Sequence, residues 1–180
     1  MKFFEKTVAK NYIYRGKILN LRRDDAELPD GKPCVREIVE HSGGAGILYV
    51  KDEKVLLVKQ FRYAYGEEIL EIPAGKLNKG EDPSLTAARE LEEETGFYPE
   101  KTKHLFTIYP SPGYTDEKIY IYLAENVRQG KIHLDEGEFV SAEFYPLDEA
   151  EQMINDGRIK DAKTIIALQR YLLTERQQKA

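Results

Sequence analysis

Apolar positions along the chain fall into short runs, and the longest of these are strand-sized. Ala45-Gly46-Ile47-Leu48-Tyr49-Val50 and Lys54-Val55-Leu56-Leu57-Val58-Lys59-Gln60-Phe61 are the two strongest strand candidates, joined by the polar turn Lys51-Asp52-Glu53. Upstream, residues 8–40 read as two strands around Pro29-Asp30-Gly31-Lys32, a turn signal of the Asp-Gly kind. Tyr12, Tyr14 and Ile18 share one face of a period-two pattern with Gly16 as the gap, which predicts a half-buried strand. The pair Gly43-Gly44 then punctuates the chain, separating an N-terminal β region (residues 1–42) from a domain over residues 43–180. A helix is expected over residues 83–95, strands over 105–109, 118–124 and 141–145, and helices over 147–156 and 161–174. In the last of these, Ile165, Leu168 and Leu172 have the spacing of a packed face. Strands interspersed with a few helices predict an α/β fold in which helices pack on the faces of a mixed sheet.

Composition narrows the classes. The 180 residues suit one domain or one domain with a small appendage, and 41% hydrophobic with 33% charged residues is an ordinary globular balance. No apolar run approaches the roughly 20 residues of a membrane span. The start, Met1-Lys2-Phe3-Phe4-Glu5-Lys6, lacks the extended apolar stretch of a secretory signal. Cys34 is the only cysteine, so no internal disulfide forms; a reducing compartment, and hence the cytoplasm, is expected. A net charge of −5 argues against nucleic acid held on a broad basic surface. A small phosphorylated ligand is compatible with an acidic site when bound cations bridge the two sets of anionic oxygens.

The chemistry concentrates in Glu90-Leu91-Glu92-Glu93-Glu94. Asp82 suits the N-cap of this helix, Pro83 its first position and Gly96 the residue just past its end. Leu85, Ala88 and Leu91 lie three apart and are expected to form its packing face. Glu90, Glu93 and Glu94, at i, i+3 and i+4, project to one side. One reading is a solvated acidic face. Against it, like charges at these spacings repel, and anions near a helix C-terminus oppose the macrodipole. Bound Mg²⁺ or Mn²⁺ would relieve both conflicts, because hard cations prefer carboxylate oxygens.

The frame around the run carries a resemblance. From Gly75 the chain has five residues, then Glu81, seven more, and then Arg89-Glu90-Leu91-Glu92-Glu93-Glu94-Thr95-Gly96-Phe97. This resembles the Nudix box, the signature of the Nudix hydrolases, with each defining position filled. The resemblance implies a loop–helix–loop on an α/β/α sandwich with a mixed sheet, and hydrolysis of a nucleoside diphosphate linked to another group. It implies that Glu90 and Glu94 are the leading metal ligands, that Glu93 serves a further metal or its water shell, and that the backbone carbonyl of Ala74 joins them. Glu81 and Arg89, with Gly75 and Gly96, are implied as supporting residues; for Arg89 a plain structural ion pair is the alternative.

Outside the box the chain resembles the ADP-ribose pyrophosphatase subgroup. The carrying residues are Leu57-Val58-Lys59-Gln60-Phe61-Arg62 ahead of Glu71-Ile72-Pro73-Ala74-Gly75, Ser111-Pro112-Gly113 with Pro112 sixteen residues beyond Gly96, and Asp135-Glu136-Gly137-Glu138-Phe139-Val140. The last segment is similar to a mobile loop that supplies a catalytic glutamate, here Glu138, with Glu136 as the alternative. Arg62 is implied in gripping phosphate or the terminal ribose, Pro112 and Gly113 in substrate choice, and Arg36 and Glu37 in holding the adenine from a partner subunit. Relatives that stack the base on tryptophan have no counterpart here, since the chain contains none. His41, His104 and His133 match no ligand spacing and read as structural. The implied activity is hydrolysis of ADP-ribose to AMP and ribose 5-phosphate with Mg²⁺ or Mn²⁺, by a homodimer. Another nucleoside diphosphate sugar such as GDP-mannose, and a non-catalytic domain that binds a nucleotide sugar, are the alternatives.

Overall fold

Extended, charge-rich segments open the chain. The computed structural model describes residues 3–179, and it folds these segments into three antiparallel strands: β1 (Lys6–Arg15), β2 (Leu19–Glu27) and β3 (Pro33–His41). The Asp-Gly signal does make the second turn, where Gly31 has φ 83° and its N–H donates to the Leu28 carbonyl at 2.9 Å. The first turn was not expected. Gly16 is where the chain reverses, its N–H donating to Leu19 O at 3.0 Å, and an added Cβ there would lie 2.5 Å from the Tyr14 ring. Tyr12, Tyr14 and Ile18 therefore do not share one half-buried strand; all three are exposed. The period-two count ran across a hairpin.

The chain divides into two compact units, and the first takes in more than these strands. It consists of the chain up to Gly43 together with Tyr109–Lys118, the connection between two later strands. The connection lies along β3: Val39 N–H donates to Tyr114 O at 2.7 Å, Asp116 N–H donates to Val39 O at 3.2 Å, and Val39 and Thr115 form a parallel bridge. Asp116 also accepts the His41 amide at 2.9 Å.

The second unit runs over Gly44–Ile108 and from Ile119 onward. Its strands are β4 (Gly44–Leu48), β5 (Val50–Lys51), β6 (Lys54–Arg62), β7 (Glu67–Glu71), β8 (Ala74–Lys76), β9 (Phe97–Ile108), β10 (Ile119–Gln129) and β11 (Val140–Pro146). Its helices are α1 (Pro83–Thr95), α2 (Leu147–Asn155) and α3 (Ala162–Lys179). One sheet has the order β8-β4-β10-β9, with β10 parallel to β4 and the other pairs antiparallel, so it is mixed. The other has the order β11-β6-β5, and β7 pairs with β6. Side chains alternate across these strands as strand geometry requires. Ala45, Ile47, Tyr49 and Leu56 pack with Ala87 and Leu91 of α1. Leu48, Val55 and Leu57 pack on the opposite side with Leu147, Ala150 and Met153 of α2 and with Ala167 and Leu168 of α3. Helices thus cover both faces, giving the α/β/α layering and the mixed sheet that were expected. Among the described residues no helix is long and apolar enough to cross a membrane.

Candidate active site

Local rules set the ends of α1. The Asp82 side chain accepts the Ser84 amide at 2.8 Å, Pro83 occupies the first turn, and Gly96 closes the helix in the left-handed region at φ 73°. The packing face differs from the expected one. Leu85 is 62% exposed, while Ala87, Leu91 and Glu94, at i, i+4 and i+7, are buried. At about 100° per residue Leu85 points almost opposite Ala87, so a strict three-residue count drifts off the core. The buried stripe therefore ends in a carboxylate.

That carboxylate and its neighbour lack a full complement of charge. Glu94 is 4% exposed and receives the Ala74 amide at 3.3 Å. Burial, reinforced by Glu90 and Glu138, pushes its carboxyl up to about 8. Burial also pushes Glu90 up to about 7; Arg89 opposes the shift, while Glu93 and Glu138 add to it. Glu90 lies directly against β8. A Cβ built on Gly75 would stand 1.9 Å from Glu90 Oε1, so any side chain there would displace the carboxylate.

Arg89 ties the remaining acids together. Its Nη1 reaches Glu90 Oε1 at 2.8 Å and Glu93 Oε2 at 2.7 Å, and its Nε reaches Glu81 Oε1 at 3.3 Å. Burial works against ionisation of Glu81, but the Asn78 amide at 3.1 Å and Arg89 outweigh it and hold that carboxyl below the usual range. Among the described residues no three acidic, histidine or cysteine side chains converge as ligands of a single ion. Glu90 and Glu93 both meet Arg89, but burial leaves Glu90, with Glu94, as the charge-deficient pair. The donor set is all carboxylate and backbone oxygen, the chemistry that hard divalent cations select. These residues fit such an ion.

The segment after β10 brings further groups to the same helix end. Glu138 opposes the ionisation of Glu90 and Glu94 and accepts from Gln60 Nε2 at 3.4 Å and from the Asp135 amide at 3.3 Å. Glu136 is exposed on the same loop. The His133 amide donates to the Glu93 carbonyl at 3.1 Å, so one of the three scattered histidines does border the acidic cluster.

Arg62 ends β6 and donates from Nε and Nη2 to Glu71 at 2.6 and 2.9 Å. In the sequence Glu71 stands out only as part of the Glu71-Ile72-Pro73-Ala74-Gly75 segment. Its partner Lys163 gave no signal, because it lies 92 positions away on another element. In the first unit, Arg36 is paired with Glu5 at 2.8 and 2.5 Å, and Glu37 stands beside it on β3. Pro112 and Gly113 fall in the connection that lies along β3 and so belong to that unit.

Comparison with known proteins places this geometry. The model of the NUDIX domain matches residues 40–168, more than half of the chain. The chain belongs to the Nudix family. It is a Nudix hydrolase, an enzyme class that works with divalent cations, and Gly75 to Phe97 is its Nudix box. A second model, the nucleoside diphosphate sugar hydrolase N-terminal domain, matches residues 5–39. The chain is 47% identical to an ADP-ribose pyrophosphatase of Bacillus subtilis (strain 168), over 95% of this chain and 94% of that protein. It is 45% identical to a methanol dehydrogenase activator of Bacillus methanolicus, over 96% and 95%. A crystal structure of an ADP compounds hydrolase superposes with a TM-score of 0.86 at 21% identity, covering 99% of this chain and 98% of that one, which supports the fold.

Proposed function

We propose that this Nudix enzyme hydrolyses the pyrophosphate of ADP-ribose to AMP and ribose 5-phosphate, using Mg²⁺ or Mn²⁺. The observation that carries the reading is the 47% identity to an ADP-ribose pyrophosphatase across nearly the whole of both chains. The charge-deficient carboxylate pair at Glu90 and Glu94 supports the metal part of it.

In this reading Glu90 and Glu94 hold the cation, with Glu93 and the Ala74 carbonyl completing its surroundings. When bound, the cation neutralises phosphate oxygens and lowers the pKa of a coordinated water. Gly75 admits the Glu90 carboxylate, and Arg89 with Glu81 fixes its orientation. Glu138, on its loop beside the pair, takes the proton of the attacking water once the loop closes; Glu136 lies further out on the same loop. Arg62 grips the pyrophosphate or terminal ribose with the guanidinium edge that Glu71 leaves open. A partner subunit supplies Arg36, whose planar face meets the adenine, and Glu37, whose carboxylate meets its polar edge, and Pro112 and Gly113 govern substrate choice.

We also assign the N-terminal sheet a role in a homodimer. Val8, Ile13 and Tyr14 are exposed on its first strand and Ile18 on the hairpin that follows, which is what a surface covered by a second copy presents. The lone cysteine suits a cytoplasmic setting. A panel of ADP-ribose, GDP-mannose and other nucleoside diphosphate sugars, assayed with Mg²⁺ or Mn²⁺ and read by released AMP or GMP, tests the substrate. Turnover of ADP-ribose above the others is expected; preference for GDP-mannose would reverse the assignment. Light scattering tests the dimer, and a monomeric mass at assay concentration would rule it out.

A further inference from the structure

The pair of Arg62 and Glu71 belongs to a buried network whose other members have no part in the reading above. Glu71, the last residue of β7, is 3% exposed, yet it accepts from Arg62 Nε at 2.6 Å, from Arg62 Nη2 at 2.9 Å and from Lys163 Nζ. Lys163, itself 9% exposed in the first turn of α3, also pairs with Asp161 at 3.1 Å. Asp161 caps that turn, accepting from Thr164 N at 2.9 Å and Thr164 Oγ1 at 2.6 Å. Thr164 Oγ1 in turn accepts the amide of Ile72 at 2.8 Å. Lysine and glutamate are rarely buried this far, and well-packed apolar side chains serve stability as well or better. The network therefore calls for a purpose beyond holding the helix in place.

Its charges alternate: Arg62, Glu71, Lys163, Asp161. Were Arg62 the sole partner of Glu71, the two would neutralise each other and the guanidinium would present little charge. Lys163 draws on the same oxygen, Oε2, that Arg62 Nη2 uses. Glu71 is thus shared between two cations, and with Asp161 the four charges cancel; without Lys163 the network beside Arg62 would be net negative. Two of the three guanidinium nitrogens of Arg62 are pinned, so its plane is fixed. Nη1 is not among the atoms that bind Glu71, and the side chain is 40% exposed. Arg62 and Glu94 stabilise each other's charged forms.

We propose that Lys163 is a positioning residue for the substrate: it anchors Glu71, which fixes the plane of the Arg62 guanidinium, and offsets the negative charge behind that guanidinium as a pyrophosphate approaches. The proposal rests on the reading that Arg62 grips ADP-ribose. It extends the binding site to Lys163; Thr164, in the same turn of α3, holds the backbone at Ile72 and stands outside that site.

The test is a double-mutant cycle of Lys163→Met and Arg62→Ala. The readouts are KM and kcat for ADP-ribose with Mg²⁺, the Kd of a non-hydrolysable ADP-ribose analogue by calorimetry, and thermal melting. Lys163→Met should raise KM and Kd about tenfold, as loss of one charge-assisted contact does, and leave kcat within about twofold. In the Arg62→Ala background it should add nothing. Lys163→Gln, a donor without charge, should behave in the same way and serves if the methionine variant fails to fold. Thr164→Val breaks the bond to the Ile72 amide but no charge pair, and should lower the melting temperature with KM unchanged. An Arg62→Ala variant with unaltered KM and Kd would remove the reading of Arg62 itself. A normal Arg62→Ala effect overturns the positioning role in three cases: if the Lys163 variants leave KM and Kd alone, if they add the same loss in both backgrounds, or if Thr164→Val raises KM as much as they do.

Discussion

At Glu94 a single side chain would link fold stability to the proposed metal binding. Its carboxyl ionises near an ordinary 4.5 in the unfolded chain but is held up to about 8 in the fold, and Glu90 is held up to about 7. Between those values the folded state binds more protons than the unfolded one, so metal-free protein loses stability as pH rises from about 4.5 to about 8. Chelated protein is therefore expected to melt lower at alkaline pH than near pH 5, and Glu94→Gln should flatten that slope and raise the alkaline midpoint. A midpoint that climbs with pH in chelated wild type would refute the assignment. A divalent cation must displace these protons, so calorimetry in buffers of differing ionisation enthalpy should register proton release on Mg²⁺ binding near neutral pH. Gly75 bears on the same pair by shape alone. Gly75→Ala places a methyl on the Glu90 carboxylate and should weaken metal affinity by about 10- to 100-fold, the range seen when a ligand is misoriented. Titration of activity against Mg²⁺ reads this directly, and an unchanged half-saturation point would count against Glu90 as a ligand.

Helix α1 shows what sequence discloses and what it conceals at the level of an element. Its limits were legible because caps are local: Asp82, Pro83 and Gly96 each act within a turn of the helix end. Gly96 has φ 73°, and its carbonyl receives Gln129 Nε2 at 3.0 Å and the Gly130 amide at 2.7 Å. Gly96→Ala should accordingly cost about 1 kcal/mol or somewhat more by urea denaturation. The acidic face was legible too, since i, i+3 and i+4 fix a direction whatever surrounds the helix. The depth of each carboxylate was not: Glu94 is buried because α1 sinks against β4 and β8, and no local rule states that. Leu85 shows the reverse error, an apolar side chain left outside because the stripe follows Ala87 and Leu91. The strand β9 was expected only over residues 105–109 but begins at Phe97, because Glu100-Lys101-Thr102-Lys103-His104 carries no apolar pattern and is held by its pairing to β10. Lys163 could not be inferred, since the partner that explains a buried lysine sits on a strand distant in the chain.

Across the whole molecule, the order of elements was readable and their grouping was not. Layering followed from apolar runs of opposite phase: Ala45 and Ile47 against Leu48, and Leu56 against Val55 and Leu57, address different helices. The first unit runs to Gly43, and no compositional shift marks the return of Tyr109–Lys118 to it. That return has a consequence for how the protein can be taken apart. The polypeptide crosses between the units at three places, after Gly43, after Ile108 and after Lys118. The N-terminal portion is consequently not a module that one cut releases or one fusion transplants. A chain begun at Gly44 would keep the whole Nudix box yet strip Tyr114, Asp116 and Thr115 of the β3 backbone they bond to. Proteolysis should find that stranded segment first. Limited digestion of the shortened protein is expected to cleave within residues 109–118 well before the full-length chain is cut there, and equal resistance would mean the segment stands without its partner strand.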